Sequence, residues 1–466
     1  MPLIPGDSGT RCGKRRAWLL LALAPWTIPA CPAVPRSLRL CIPNDPNVVY
    51  LEPIVLKQGY LVDRADRIFC TDVTRVAGAP GTPIPAVSGI WGDDVRHHYS
   101  KDEPWSSDQR LIYVQNEGGT PTDLYLDGGT YKPTSIDCSN YSDEGYGRWF
   151  PTSAYPSVRV KPGPTGNIVQ WFDVRTCTVV RTWSLPYSFS SDTPDGGPFT
   201  EGSPTPDGRF AAFAQDAIRV FIMDMAQYPE ARVGPLIDVA TGCDLQDGCT
   251  VDWVSMSATG TFLVVSYVGD HPRVYDVNRS TLDITPHEEP ADAVECEGQH
   301  PADGYIFDLG HSDLTLQWNG ARWEDALVGQ RRDWCPSNVH GQDMGGVIKV
   351  RLRDDAITTL TDPENEASVH HISARNILRP GWVFATYYED DGMRFSNEVI
   401  AIKLDGSFGV ERFVQTHSSE EPYRNEAHGV PSPTGDRLMF ASEWDVWCGL
   451  LCGANPQGYV VDARPP

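Results

Sequence analysis

At 466 residues, with 42 glycines, 39 prolines and 10% aromatic residues, the chain has the composition of many short strands joined by tight turns. Its formal net charge of -24 argues against nucleic acid or an anionic membrane as a partner, because nothing would neutralise the phosphates. A small acidic ligand stays possible, since a local pocket can be basic within an acidic shell.

The first thirty residues read as an export signal. Arg11, Lys14, Arg15 and Arg16 form a basic start, and Ala17 to Ala24 an apolar run too short to span a bilayer. Residues 1–30 are therefore expected to be a signal peptide, and the chain to be secreted or periplasmic with no membrane span. Cys31 follows a poor lipobox, which leaves lipid anchoring there open but not favoured. Apart from Cys12 and Cys31 there are ten cysteines. The close pairs Cys243–Cys249 and Cys448–Cys452 predict small disulfide-closed loops in an oxidising compartment.

Residues 31–96 are expected to form an N-terminal extension. Its strand Thr71–Val76 would complete the last blade of a closed ring and remove a free edge. Residues 97–466 carry the ring. A turn with Ser or Pro, then Asp or Thr, then Gly recurs just ahead of a strand. Ser203–Gly208 leads into Phe210–Phe213, Ser257–Gly260 into Phe262–Val265, and Ser432–Gly435 into Leu438–Ala441. Starts near 98, 148, 203, 253, 311, 371 and 428 give seven units of roughly fifty residues, the spacing of propeller blades. The expected fold is all-β, a seven-bladed β-propeller. Leu314–Leu316 is expected to form a hairpin with Val347–Val350. The polar segments 286–305 and 323–345 read as loop insertions.

In such a ring the starts of the inner strands meet at one mouth of the channel. His98, His311, His371 and His428 all stand there. Neutral imidazole is the commonest nitrogen ligand of transition metals, and rings from separate blades could enclose one ion, although a lone histidine is more often structural. Asn376, Asn425 and Glu426 could add oxygen ligands or orient the rings. Arg375 and Arg379 flank a Pro380-Gly381-Trp382 turn. A guanidinium there either grips a carboxylate with two hydrogen bonds or forms an inter-blade ion pair. Arg375, Arg379 and Asn376 are thus the candidate substrate-binding residues, and His98, Tyr99 and His370 the candidate acid–base groups. The chain has no phosphate-binding loop, dinucleotide fingerprint, nucleophile elbow or metalloprotease helix motif.

The turn-and-strand units resemble those of TolB-type and WD40-like bacterial propellers. More specific are Gly310-His311, His371 with Ser373-Ala374-Arg375-Asn376, and Asn425-Glu426-Ala427-His428. These resemble secreted seven-bladed propellers related to polysaccharide lyases, the oligogalacturonate lyases especially. The resemblance implies a divalent metal held by His311, His371 and His428, generally manganese, with calcium the other ion left open. It implies Arg375 as the clamp for a uronate carboxylate, and an acidic oligo- or polysaccharide as substrate. Two departures stand out: no glutamine ligand is identifiable, and Ser312-Asp313-Leu314 replaces the family's aromatic-containing run. The expected activity is metal-assisted β-elimination by a polysaccharide lyase. The alternative is a non-catalytic glycan- or protein-binding propeller of the cell envelope, its histidines structural.

Overall fold

A computed structural model of the chain describes residues 44–464 apart from 54, 67, 142–145, 190–200, 242–248, 270, 288–308, 332–345, 363, 391, 420–422 and 445–454. The expected signal segment, Cys31 and the pair Cys448–Cys452 lie outside the described residues, as does Cys243. Cys138 and Cys177, 39 residues apart in sequence, form a disulfide. Cys70 and Cys249 are also disulfide-bonded.

The described residues form antiparallel sheets that follow one another along the chain, and the protein is an all-β propeller. Five sheets have four strands. The first of these runs Arg148–Trp149, Val158–Pro162, Ile168–Asp173 and Thr178–Ser184. A sixth sheet of eight strands contains both ends of the described chain. Asp72–Arg75 pairs antiparallel with Gln457–Asp462, so the N-terminal strand closes the C-terminal sheet, as the sequence predicts. Within the same sheet, Asp94–Arg96, Leu111–Glu117 and Asp123–Asp127 join the rest through one parallel pair, Val95 with Gln457. Divided at that pair, the sheets among the described residues number seven.

The core lies between the sheets. Among the described residues, seven clusters of buried side chains each bridge two neighbouring sheets. One packs Met439 and Val460 of the C-terminal sheet against Ile112 and Leu126 of the first, which closes the ring. Strands buried on both faces need apolar residues at successive positions, hence runs such as Phe210–Ala214, buried throughout.

Two expectations are corrected. Residues 323–331 are not part of a loop insertion: Trp323–Arg331 is a strand paired with Leu309–Trp318. It also lies between Leu309–Trp318 and Val347–Arg351, so Leu314–Leu316 and Val347–Val350 are not hairpin partners. Its charged start, Trp323-Glu324-Asp325, masked the strand pattern in the sequence.

Candidate metal centre

Two strands that stand first in the order of their sheets carry a β-bulge at a histidine. In Leu309–Trp318 the register shifts between Gly310 and Asp313. In Val369–Ser373 it shifts between Val369 and His371. A bulge inserts one unpaired residue and re-aims side chains. It explains the doublet: neighbouring strand residues normally face opposite ways, yet His370 and His371 stack with ring centroids 4.4 Å apart. Gly329 sits opposite the first bulge, where a Cβ would come within 2.9 Å of the Ser312 Cβ. His311 (φ 42°) and His428 (φ 46°) hold left-handed backbone conformations that non-glycine residues seldom adopt. Such strain gathers at functional sites.

Glu426 is the hub. It is 6% exposed. His370 Nε2 lies 2.6 Å from its Oε1, while His371 Nε2 and His428 Nε2 lie 2.9 and 3.0 Å from its Oε2. Ligand atoms of His370, His371 and Glu426 all fall within 4.8 Å of one another. The loop that presents Glu426 and His428 is tied down through its backbone. Arg96 donates to the Glu426 carbonyl at 3.2 Å, His97 Nε2 to the His428 carbonyl at 2.5 Å, and Ser418 to that of Asn425. Gly429 allows the close approach that follows, since a Cβ there would lie 2.7 Å from Val399.

Around the hub the rings form a tight group. His370 stacks on Tyr388 with centroids 3.8 Å apart. His371 lies 4.3 Å from His428 and 4.5 Å from His311, ring to ring. Tyr99 packs edge-on against His371 and His428, and its hydroxyl is 3.2 Å from His311 Nδ1. Burial, helped by the charges of neighbouring histidines and Lys101, pushes the His371 pKa well below the ordinary 6.5. Burial, with Arg96 and His97, does the same to His428. Both rings are neutral at pH 7, the form that binds metal. The imidazole nitrogens of His370 and His371 and a carboxylate oxygen of Glu426 are a suitable donor set for a divalent transition metal, with His428 hydrogen-bonded to the same carboxylate beside them. The residues present fit such an ion.

The structure brings together only part of the predicted site. His371 and His428 converge on Glu426, whereas His311 is one ring away and bonded to Tyr99. His370 stands among the ligand-type groups, enclosed between Tyr388 and His371. His98 is 28% exposed on its side chain, with Nδ1 3.9 Å from Asp102. Burial together with Arg148, Arg96 and Arg159 pushes its pKa down to about 3, so it is a poor proton acceptor.

Arg375, Arg379 and Asn376 have no hydrogen bond, ion pair or ring contact with the histidines among the described residues. Arg375 Nη2 donates to both oxygens of Asp313, at 2.7 and 2.9 Å. Arg379 pairs with Glu411 at 2.7 and 3.0 Å and lies 4.3 Å over the Trp382 ring. Asn376 donates to the carbonyls of Arg379 and Trp382. Asn425 donates to Ser419 rather than joining the cluster. Nothing in the sequence singles out Lys101, which is buried, paired with Glu201 and 4.0 Å over the Trp253 ring. In sequence Glu426 is only an auxiliary candidate, although the spacing Glu426-Ala427-His428 is that of two residues on one face of an extended chain.

No family model and no curated protein matches the chain. Among solved structures, it resembles an oligogalacturonate lyase from Vibrio parahaemolyticus with a TM-score of 0.50 at 12% identity, over 86% of this chain and 96% of that one. An oligogalacturonate lyase in complex with manganese gives 0.49 at 11%, with the same coverage of 86% and 96%. The β-propeller domain of Cps50 from Myceliophteria thermophila gives 0.39 at 12%, over 79% and 98%. These likenesses are of fold.

Proposed function

We propose that the protein is an exported polysaccharide lyase that cleaves a uronate-containing glycan by metal-assisted β-elimination. The observation that carries this reading is the convergence of His370, His371 and His428 on the buried Glu426. Those four residues would hold the ion. When bound, a divalent cation draws electron density from the uronate carboxylate and acidifies the neighbouring C–H. Manganese follows from the sequence resemblance.

The chain's own groups supply the proton handling. Tyr99 lies against the cluster, and His311 Nδ1 can take the phenolic proton through their 3.2 Å hydrogen bond. The phenol oxygen then accepts the proton from the sugar carbon as the double bond forms and the bond to the leaving sugar oxygen breaks. The same pair returns a proton to that oxygen. Lys101 is close enough to depress His371, but its ammonium is paired with Glu201. Arg375, committed to Asp313, is not needed for this step.

Incubation with pectic, ulvan-type and glucuronan polysaccharides in the presence of manganese tests the proposal. The unsaturated product should raise ultraviolet absorbance on at least one of them. A flat trace on all, with manganese or calcium present, would leave the non-catalytic binding propeller as the better account. Export is read from the basic and apolar N-terminal segment and agrees with the Cys138–Cys177 disulfide. No helix among the described residues is long and apolar enough to cross a membrane.

A further inference from the structure

Residues 44–57, apart from 54, belong to no strand, yet they are tied down along their length. This strap follows Val410–Gln415, the last strand of its sheet. The Arg412 backbone N–H donates to Asn44 Oδ1 at 3.1 Å, the Arg412 guanidinium to the carbonyls of Asp45 and Val48, and Gln415 to that of Tyr50. Farther on, Trp444 Nε1 donates to the Val55 carbonyl and Lys57 Nζ to that of Glu443. Covering an exposed edge explains the first group of contacts. It does not explain Glu52.

The Glu52 carboxylate reaches past the strand to the loop that follows it. Its Oε1 lies 2.5 Å from His417 Nδ1, and the two side chains are only 13% and 9% exposed. Its Oε2 accepts from Asn397 Nδ2 at 3.1 Å. The same amide nitrogen donates to the Ser418 carbonyl at 3.1 Å, and Asn397 Oδ1 accepts from the Thr416 hydroxyl. Directly or through Asn397, Glu52 thus holds residues 416–418. His417 has a left-handed backbone (φ 54°), which a non-glycine residue keeps only where its surroundings impose it. Its ring packs on Trp444 with centroids 4.3 Å apart, and its carbonyl accepts from Ser442 at 3.0 Å.

Two bonds carry this hold to the histidine cluster. Ser418 Oγ donates to the Asn425 carbonyl, and Asn425 Nδ2 donates to Ser419 Oγ at 3.2 Å. The Asn425 carbonyl belongs to the peptide that joins it to Glu426, so fixing that carbonyl fixes the direction in which Glu426 leaves the chain. We propose that Glu52 is a positioning residue for the cluster: through His417, Asn397 and Ser418 it sets where the Glu426 carboxylate stands. Its consequence for metal affinity rests on the metal-site reading; the ordering of the loop does not.

Hydrogen exchange of the chelator-treated full chain, followed by mass spectrometry, tests the ordering without metal. Glu52→Ala should speed exchange about tenfold in peptides covering 423–430, while the hairpin Phe210–Ala214 with Arg219–Asp224, on another sheet, exchanges as in the parent. Manganese titration tests the consequence. Glu52→Ala should bind about tenfold more weakly, the lower end for partners that orient ligands. Glu52→Gln, which keeps an acceptor for His417, should lie between Glu52→Ala and the parent. Ser418→Ala should reproduce both effects, and it decides the matter if Glu52→Ala fails to fold. The double variant should lose little more than either single one, because both cut one path. Parent-like exchange at 423–430, faster exchange in both regions, or fully additive losses would overturn the proposal. So would parent-like manganese affinity in Glu52→Ala. A parent that binds no manganese contradicts the metal reading alone, and the exchange result then decides the positioning.

Discussion

The histidine cluster and the Arg375–Asp313 ion pair, a few residues apart along the chain, solve opposite electrostatic problems. In the cluster, three imidazoles share the one carboxylate of Glu426, and burial holds two of the rings neutral. That arrangement is rich in lone pairs and short of positive charge. Farther on, Arg375 and Asp313 form a closed ion pair reinforced by the backbone N–H groups of Leu314 and Ala374. A few residues of chain thus separate a place suited to receive a cation from one that already carries its own. The bulges at His311 and His370 belong to the first place and re-aim side chains toward it.

Glu426→Ala breaks the first place most severely. It removes an oxygen ligand and the shared acceptor of three rings, so divalent metal affinity should fall on the order of 10²-fold or more, and any lyase activity should go with it. Metal titration of the chelator-treated variant checks this. Tyr99→Phe is the next largest effect. It keeps the ring packing on His371 and His428 and deletes only the hydroxyl, so kcat should fall by about 10²-fold with metal content unchanged. Both results would sharpen the division of labour between holding the ion and moving the proton.

At the other end, Arg375→Gln leaves Asp313 without its counter-charge. The expected cost is about 3 kcal/mol of stability by denaturant melting, with no change in metal content. Metal lost along with the ion pair would erase the distinction between the two places. Stability also depends on pH. Burial pushes the His97 pKa to about 3 against an ordinary 6.5. The unfolded chain therefore takes up this proton first as pH falls. Stability from this ring is full above pH 6.5 and declines toward pH 3, by about 1.4 kcal/mol per unit. His97→Asn should flatten that part of the stability curve.

The propeller was legible in the sequence because the turn signals recur at fixed spacing and lead into apolar strands. The hairpins Phe210–Ala214 with Arg219–Asp224 and Trp382–Tyr387 with Glu398–Lys403 form as that pattern predicts. So does closure by the N-terminal strand. Trp323–Arg331 was hidden because its charged start matched a loop better than a buried strand. The place of the site was legible for the same reason as the fold: histidines kept recurring at strand starts. Its membership was not. Strand alternation allows only one of His370 and His371 to face the channel, and a bulge, which has no clear sequence signature here, admits both. Arg375 drew attention as an arginine near a turn, but its partner Asp313 lies 62 residues away on another sheet.

The proposed metal site consists of Glu426 and its three imidazoles. Elemental analysis of the full chain after manganese loading and desalting tests it most directly, with Glu426→Ala and His371→Ala alongside. The parent should retain about one equivalent of metal, as expected for a single closed donor set, and either variant almost none. A parent that retains no metal, or variants that retain as much as the parent, would contradict it.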